Sequence, residues 1–414
     1  MTYEVCLENI HSRKTFSTTA SLERIERLMD RLGNPQNYLR CIHVAGTNGK
    51  GSVCALVEAA LRCSGYQTGL FTSPYLVDFR ERIRVNGELI SQEELISCYE
   101  TVMEEERRLE QAGYEPINEF ELVTALGFVA FARAQVDYAV VEVGLGGRWD
   151  ATNILPKPVV SCIMPISLDH TAVLGNTVAE IAAEKAGIIK SGCPVVLAKQ
   201  QPAVYDVLQR IAEEKNSPVI LTGIPEMQRY DQMGSRFSYD GTEIVIPLLG
   251  RYQAENAAAA WEVCKHLGLP EAEVLQGFST VQWPGRMQYI PGDVDLLIDA
   301  GHNPAGISAL VEALDELFPQ TEIIAVMAMM RDKDHRACIP MIARRCKKLI
   351  ATAISLPRAL APEELAEEAG AYCETEIAQS VIAAVKAAKD QAHSGRLVLV
   401  CGSVYAAGEA QETI

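Results

Sequence analysis

No apolar run in this chain approaches the roughly 20 residues that a helix needs to cross a bilayer. The opening Met-Thr-Tyr-Glu-Val-Cys-Leu-Glu has no basic region followed by an apolar core, so it does not read as a secretory leader. None of the 12 cysteines forms a Cys-x-x-Cys pair. Most sit in apolar stretches, as Cys54, Cys63 and Cys401 do, which suits small buried hydrophobes in a reducing compartment rather than a disulfide framework. A cytoplasmic protein is expected. Basic residues are scarce: 37 Lys and Arg stand against 54 Asp and Glu, a net charge of −17. That balance argues against nucleic acid or an anionic membrane as a partner. Internal repeats and low-complexity tracts are also missing. So is a Gly-x-Gly-x-x-Gly fingerprint after the first strand, which sets aside a nicotinamide-dependent dehydrogenase.

What is present is a chain of 414 residues, 48% hydrophobic and 22% charged, a balance typical of globular proteins and a length that favours two domains. Strand-like and helix-like runs alternate, which predicts α/β architecture with helices covering parallel sheets. Strands are expected at 41–45, 68–71, 138–143, 159–163 and 195–198, with helices over about 52–64, 119–135 and 177–189. The stretch 219–247 has turn residues and short alternating runs and predicts a small antiparallel sheet. A second alternation starts after Trp283-Pro284-Gly285, with strands at 295–299, 323–327, 348–353 and 396–400. The expected domains are 1–288 and 289–414.

Residues 42–53 carry the strongest chemical signal: a strand end, a glycine turn and a helix start around one lysine. In Gly46-Thr47-Asn48-Gly49-Lys50-Gly51-Ser52 the glycines let backbone N–H groups curl around phosphate oxygens at the positive end of the next helix. Lys50 would reach the outer phosphates and Ser52 could offer a hydroxyl to magnesium. The match to the standard phosphate loop is imperfect. Val44 replaces its first glycine, and Gly51 separates the lysine from the hydroxyl residue.

Further candidates lie at later strand ends, where open α/β sheets bind ligands. Glu142, inside an apolar strand closed by Gly144, Gly146 and Gly147, needs a partner and suits a metal ligand. His170 could bind a metal with Asp169 orienting it. Lys185, taken alone, reads as part of a solvated helix face. Asn256, Arg286, Asp299 and His302 are ordinary singly. Together they suit a nucleotide held between two domains.

These residues, in order over nearly the whole chain, resemble the folylpolyglutamate synthase and dihydrofolate synthase family of the Mur ligase superfamily. The resemblance rests on His43 to Ser52, Thr72-Ser73-Pro74 leading to Glu81-Arg82-Ile83, Phe120 to Thr124, and Glu142 to Arg148 with Asp150 to Asn153. It continues through Asp169-His170, Glu184 to Lys190, Trp283 to Arg286, Asp299 to Pro304, and Gly402-Ser403. The family's phosphate loop has the Gly-Lys-Gly-Ser form found here. Its usual Asp-Gly-Ala-His-Asn-Pro appears as Asp299-Ala300-Gly301-His302-Asn303-Pro304, with the Asp-to-His spacing kept and the loop's path left open.

The resemblance implies a P-loop-containing, Mur-ligase-like first domain with a parallel sheet plus a small antiparallel sheet, and a Rossmann-like second domain. It implies an ATP-dependent amide ligase that joins L-glutamate to a folate or pteroate carboxylate through an acyl phosphate, acting as a monomer. Lys50, Lys185, His170 and His302 would be catalytic. Gly46 to Ser52, Asn256, Arg286, Asp299 and His302 would hold ATP. Two magnesium ions are implied, one near Ser73 and Glu142 with Ser52 as an alternative, the other near Glu142, His170 and a carbamylated Lys185. A Mur-type ligase acting on a cell-wall precursor and a non-catalytic nucleotide-binding regulator are the competing readings. The stretch 71–84 fits the folate branch better than the cell-wall one.

Overall fold

A computed structural model describes residues 1–14, 20–392 and 395–414. The chain forms two compact units. The first comprises Met1–Ile224 and Glu255–Thr280, the second Pro225–Ala254 and Val281–Ile414. One division falls at Val281, and the stretch 225–254, expected within 1–288, groups with the second unit.

The first unit is built on β1 (Arg40–Ala45), β2 (Thr68–Phe71), β3 (Ile83–Val85), β4 (Glu88–Leu89), β5 (Tyr138–Glu142), β6 (Val160–Ile163), β7 (Val195–Leu197) and β8 (Val219–Leu221). Their order in the sheet is β4-β3-β2-β5-β1-β6-β7-β8. β2, β5, β1, β6, β7 and β8 run parallel, and β3 and β4 add an antiparallel edge. The central strands are buried from Cys41, Tyr138 and Val160 to their ends, which is why they read as apolar runs. Val219–Leu221 was expected in the antiparallel region; it instead pairs parallel with β7 as the last strand of the large sheet.

Two helices of this unit are apolar on most sides and therefore buried. In Lys50–Cys63 every residue from Ser52 to Leu61 is buried, and in Glu119–Arg133 every residue from Glu121 to Phe131. The helix Glu271–Thr280 packs closely on the first of these. Gly277 makes the contact possible, since a Cβ there would lie 2.6 Å from the backbone nitrogen of Ala60.

In the second unit β9 (Glu226–Asp231), β10 (Gly234–Tyr239) and β11 (Thr242–Ile246) form the expected antiparallel sheet. A second, mostly parallel sheet contains β12 (Gln288–Ile290), β13 (Asp295–Ile298), β14 (Ile323–Met327), β15 (Lys348–Ala351), β16 (Glu374–Ile377) and β17 (Leu397–Cys401). Their order is β12-β13-β17-β14-β15-β16, with only β12 antiparallel to its neighbour. Leu297, Leu310, Met327, Ile339 and Leu399 belong to its apolar core. Among the described residues, no helix is long and apolar enough to cross a membrane.

Candidate active site

Three neighbouring parallel strands bring their carboxyl ends together in the first unit. β1 runs into the glycine turn 46–49, β5 ends at Glu142, and β2 leads to Ser73. β5 lies between the other two, and its register sets Glu142 opposite Val44 of β1. The turn opens the helix Lys50–Cys63. At the helix start Gly49 has φ +85° and supplies no side-chain cap, so the first-turn N–H groups are left for another acceptor. A Cβ at Gly49 would sit 2.3 Å from Asn256 Oδ1, so both space and backbone require glycine there. Ser52 is buried in the first turn.

Lys50 Nζ donates to the Thr47 carbonyl at 3.2 Å and lies 3.8 Å from Glu142 Oε1. Glu142 is only 5% exposed, and its Oε2 accepts the Ser73 N–H at 3.2 Å. The buried carboxylate thus has a cation on one side and an amide on the other, as its desolvation demands. Thr47 fastens the turn to the segment after β6. Its N–H donates to Pro165 O at 3.0 Å, and its hydroxyl donates to Ser167 O and accepts from the Ser167 N–H, both at 3.1 Å.

Lys185 does not lie on a solvated face. It is 5% exposed and its Nζ donates to the Gly46 carbonyl at 2.8 Å. Burial, then the nearby charge of Lys50, lowers its pKa to about 7 against the opposing pull of Asp169 and Asp150. Its backbone is clamped by the glycine loop after β5. The Arg148 N–H donates to Glu184 O at 2.8 Å, and Asn153 Nδ2 donates to the carbonyls of Arg148 and Gly187 at 3.0 and 3.2 Å. A Cβ on Gly187 would meet Arg148 Cα at 2.3 Å.

Beneath this loop runs a chain of polar groups. The Thr152 hydroxyl donates to Asp150 Oδ1 at 2.5 Å, so His43 Nε2, 2.8 Å from Thr152 Oγ1, is the donor to that hydroxyl oxygen. His43 is neutral, driven down to about 3 by burial and then by Lys190. Asp150 Oδ2 accepts the Leu145 N–H at 2.8 Å and so ties the loop to the segment that follows it.

His170 is placed differently. Its backbone is left-handed at φ +50°, its side chain is 40% exposed, and Nε2 lies 3.8 Å from Asp169 Oδ1. Among the described residues, Glu142, Asp169 and His170 do not form a trio of ligand atoms within 4.8 Å. The structure joins Lys50, Glu142 and Ser73 and sets Lys185 on the turn at Gly46.

Asn256, expected with Arg286, Asp299 and His302 to hold ATP, lies in the first unit against Gly49, on the helix Arg251–His266, which the division crosses after Ala254. Within the second unit, Asp299 follows β13 and is buried. Its Oδ2 accepts the Met287 N–H at 3.0 Å and its Oδ1 the Gly301 N–H at 2.8 Å, so it fixes the turn carrying Arg286 to the turn carrying His302. Burial raises its pKa, and Arg286 opposes that. His302 Nδ1 donates to the Ala300 carbonyl at 2.9 Å. Asn303 caps the helix Pro304–Leu317 by accepting the Gly306 N–H at 2.8 Å. The altered Ala300-Gly301 order fits this path: Ala300 is buried, and a Cβ at 301 would lie 2.7 Å from Asp299 Oδ1.

Sequence reasoning gave no role to Thr47 as a tie, to Thr152, or to Asn153. The stretch 150–153 was visible only as part of a resemblance, and His43, Ser167 and Gly187, which these residues meet, lie 109, 120 and 34 residues away along the chain.

Residues 44–264 match the Mur ligase middle domain, and residues 285–404 match the Mur ligase glutamate ligase domain. Fold and site together define an ATP-dependent ligase of the Mur type. A dihydrofolate synthase/folylpolyglutamate synthase of Bacillus subtilis is 34% identical over 96% of this chain and 95% of its own. The solved Mycobacterium tuberculosis folylpolyglutamate synthase complexed with ADP superposes with a TM-score of 0.92, at 33% identity over 99% of this chain and 98% of its own. Escherichia coli FolC in complex with DHPP and ADP gives 0.90, at 28% identity over 100% and 97%. The chain belongs to the folylpolyglutamate synthase/dihydrofolate synthase family.

Proposed function

We propose that this ligase joins L-glutamate to the carboxylate of a folate or pteroate substrate at the expense of ATP. The observation that carries the reading is the pairing of half-buried Lys50 with buried Glu142 at the open start of the helix Lys50–Cys63. The relatives bound to ADP and DHPP support the same assignment. The terminal phosphoryl group of ATP passes to the substrate carboxylate and gives an acyl phosphate. The amine of glutamate attacks that carbonyl, and phosphate leaves with the C–O bond. Backbone N–H groups of 46–52 hold the phosphates, and Lys50 neutralises charge on the transferring group.

The donors at the strand ends fit a hard dication. Glu142 offers buried carboxylate oxygens, and Ser73, bound to it through its N–H, brings a hydroxyl alongside. Magnesium there would supply charge neutralisation for the phosphates. Lys185 suits carbamylation, because its lowered pKa leaves much of the amine neutral near pH 7. Carbon dioxide adds to the Nζ lone pair and a proton is released. The remaining N–H keeps the bond to Gly46 O, and two oxygens sharing one negative charge become available as ligands, with His170 as a further one. Arg286, Asp299 and His302 are assigned to the nucleotide.

The test incubates purified protein with ATP, magnesium and glutamate and compares dihydropteroate with tetrahydrofolate as acceptor by mass spectrometry. A product heavier by one glutamyl residue from either acceptor is expected, and no product from both would overturn the reading. Lys50→Ala should abolish turnover while retaining the wild-type circular dichroism spectrum. Wild-type rates in that variant would remove the phosphate loop from the mechanism.

A further inference from the structure

A second group of ligand-capable side chains lies in the second unit, outside every residue assigned to the ligase reaction. His335 opens the helix His335–Arg345, and Glu364 and Glu368 stand one turn apart on the helix Pro362–Ala369. The two helices pack against each other. His335 Nδ1 is 3.1 Å from Glu368 Oε1, and Nε2 is 4.0 Å from Glu364 Oε1. One ligand atom from each of the three residues falls within 4.8 Å of the others, and among the described residues no other set of His, Cys, Asp and Glu does so.

We propose that His335, Glu364 and Glu368 bind a divalent transition-metal cation of the zinc class, which cross-links the two helices. One imidazole nitrogen and two carboxylates make a three-ligand set whose two negative charges neutralise the dication. The nitrogen donor favours zinc over magnesium or calcium, which take oxygen. His335 is only 13% exposed, so one ligand is already withdrawn from water. Bonds of about 2.0–2.2 Å place tetrahedral ligands about 3.5 Å apart. The contact between His335 and Glu368 already meets that spacing. Glu364, 48% exposed, on a flexible stem and now nearer the other ring nitrogen Nε2, has to swing toward the Nδ1 side, which a rotamer change supplies. Arg336, with Nε 3.9 Å from Glu368 Oε1, is the cation now closest to competing, but at 84% exposure it can swing into solvent. The three residues leave a fourth position for water.

The test titrates the full chain, freed of metal by chelation, with zinc chloride alone and follows heat. Cobalt substitution reports the ligand field by visible absorption. Wild type should bind one zinc more than His335→Ala or Glu364→Gln/Glu368→Gln does, or bind it at least about tenfold more tightly. Zinc should also raise its thermal midpoint and not theirs. Millimolar magnesium should not displace the metal. If His335→Ala is itself unstable without metal, Glu364→Gln, at a half-exposed position, decides the matter. Equal zinc affinity and stoichiometry in wild type and variants, or displacement by magnesium, would overturn the proposal.

Discussion

Lys185 carries a charge that its surroundings oppose. Its amine is held at about 7 against a usual 10.5, with burial as the main cause. Between those two values the unfolded chain binds more protons than the folded one. Stability therefore rises as pH climbs from about 7 to about 10.5, and the full penalty of the buried charge is felt below about 7. In buffer free of carbon dioxide, Lys185→Met should flatten that rise, measured by urea unfolding at the two ends of the window. Parallel slopes in variant and wild type would contradict the assignment. With labelled carbon dioxide, a carbamate carbon resonance should appear in wild type and vanish in Lys185→Met. Lys185→Ala should be nearly inactive, and Lys185→Glu should retain partial activity because a carboxylate of the right charge remains. The residues Ala182-Ala183-Glu184-Lys185-Ala186 by themselves show only charges of both signs and a plain helical pattern, and the resemblance alone singled out Lys185. The acceptor that draws Lys185 inward is the carbonyl of Gly46, 139 residues away. Lys50 and Glu142 were legible because each stands out against its own neighbours, one in a glycine turn and the other in an apolar strand.

Elements were read best where burial is complete. β1, β2, β5 and β14 are buried on both faces, so their apolar runs declare them. β16, Glu-Thr-Glu-Ile, is a half-exposed edge strand with no such run, and β8 has three residues and a partly exposed face. Sequence pattern cannot separate such strands from loops. Two contacts between elements allow quantitative tests. Gly277→Val would force the helix Glu271–Thr280 away from Ala59 and Ala60. It should cost about 1–3 kcal/mol, read as a lower urea midpoint at unchanged slope. Thr152→Val removes the hydroxyl between His43 and Asp150, leaving His43 Nε2 without that acceptor and Asp150 Oδ1 with only the Thr152 N–H. That should cost about 1–3 kcal/mol. Thr152→Ser, which restores the hydroxyl, should recover most of the loss, and equal losses in both would show that the methyl group, not the hydrogen bond, matters.

Across the whole molecule the net charge of −17 meets substrates that are themselves anionic. Repulsion at long range should slow their capture at low salt, and screening should relieve it. The ratio kcat/KM for the folate acceptor should therefore rise as potassium chloride is brought from low to physiological strength. A steady fall would mean that local positive charge governs the encounter instead. The order of synthesis adds a different constraint. The helix Lys50–Cys63 leaves the ribosome early, while Glu271–Thr280, which covers it, is made only after the strands β9 to β11 of the other unit. At ordinary translation speeds that interval is on the order of ten seconds or more. For that time the nascent chain lacks the helix that packs on Ala59 and Ala60. The nascent enzyme is thus a natural client for ribosome-associated chaperones, and a nucleotide cannot be expected to find a finished site before residue 280 has emerged.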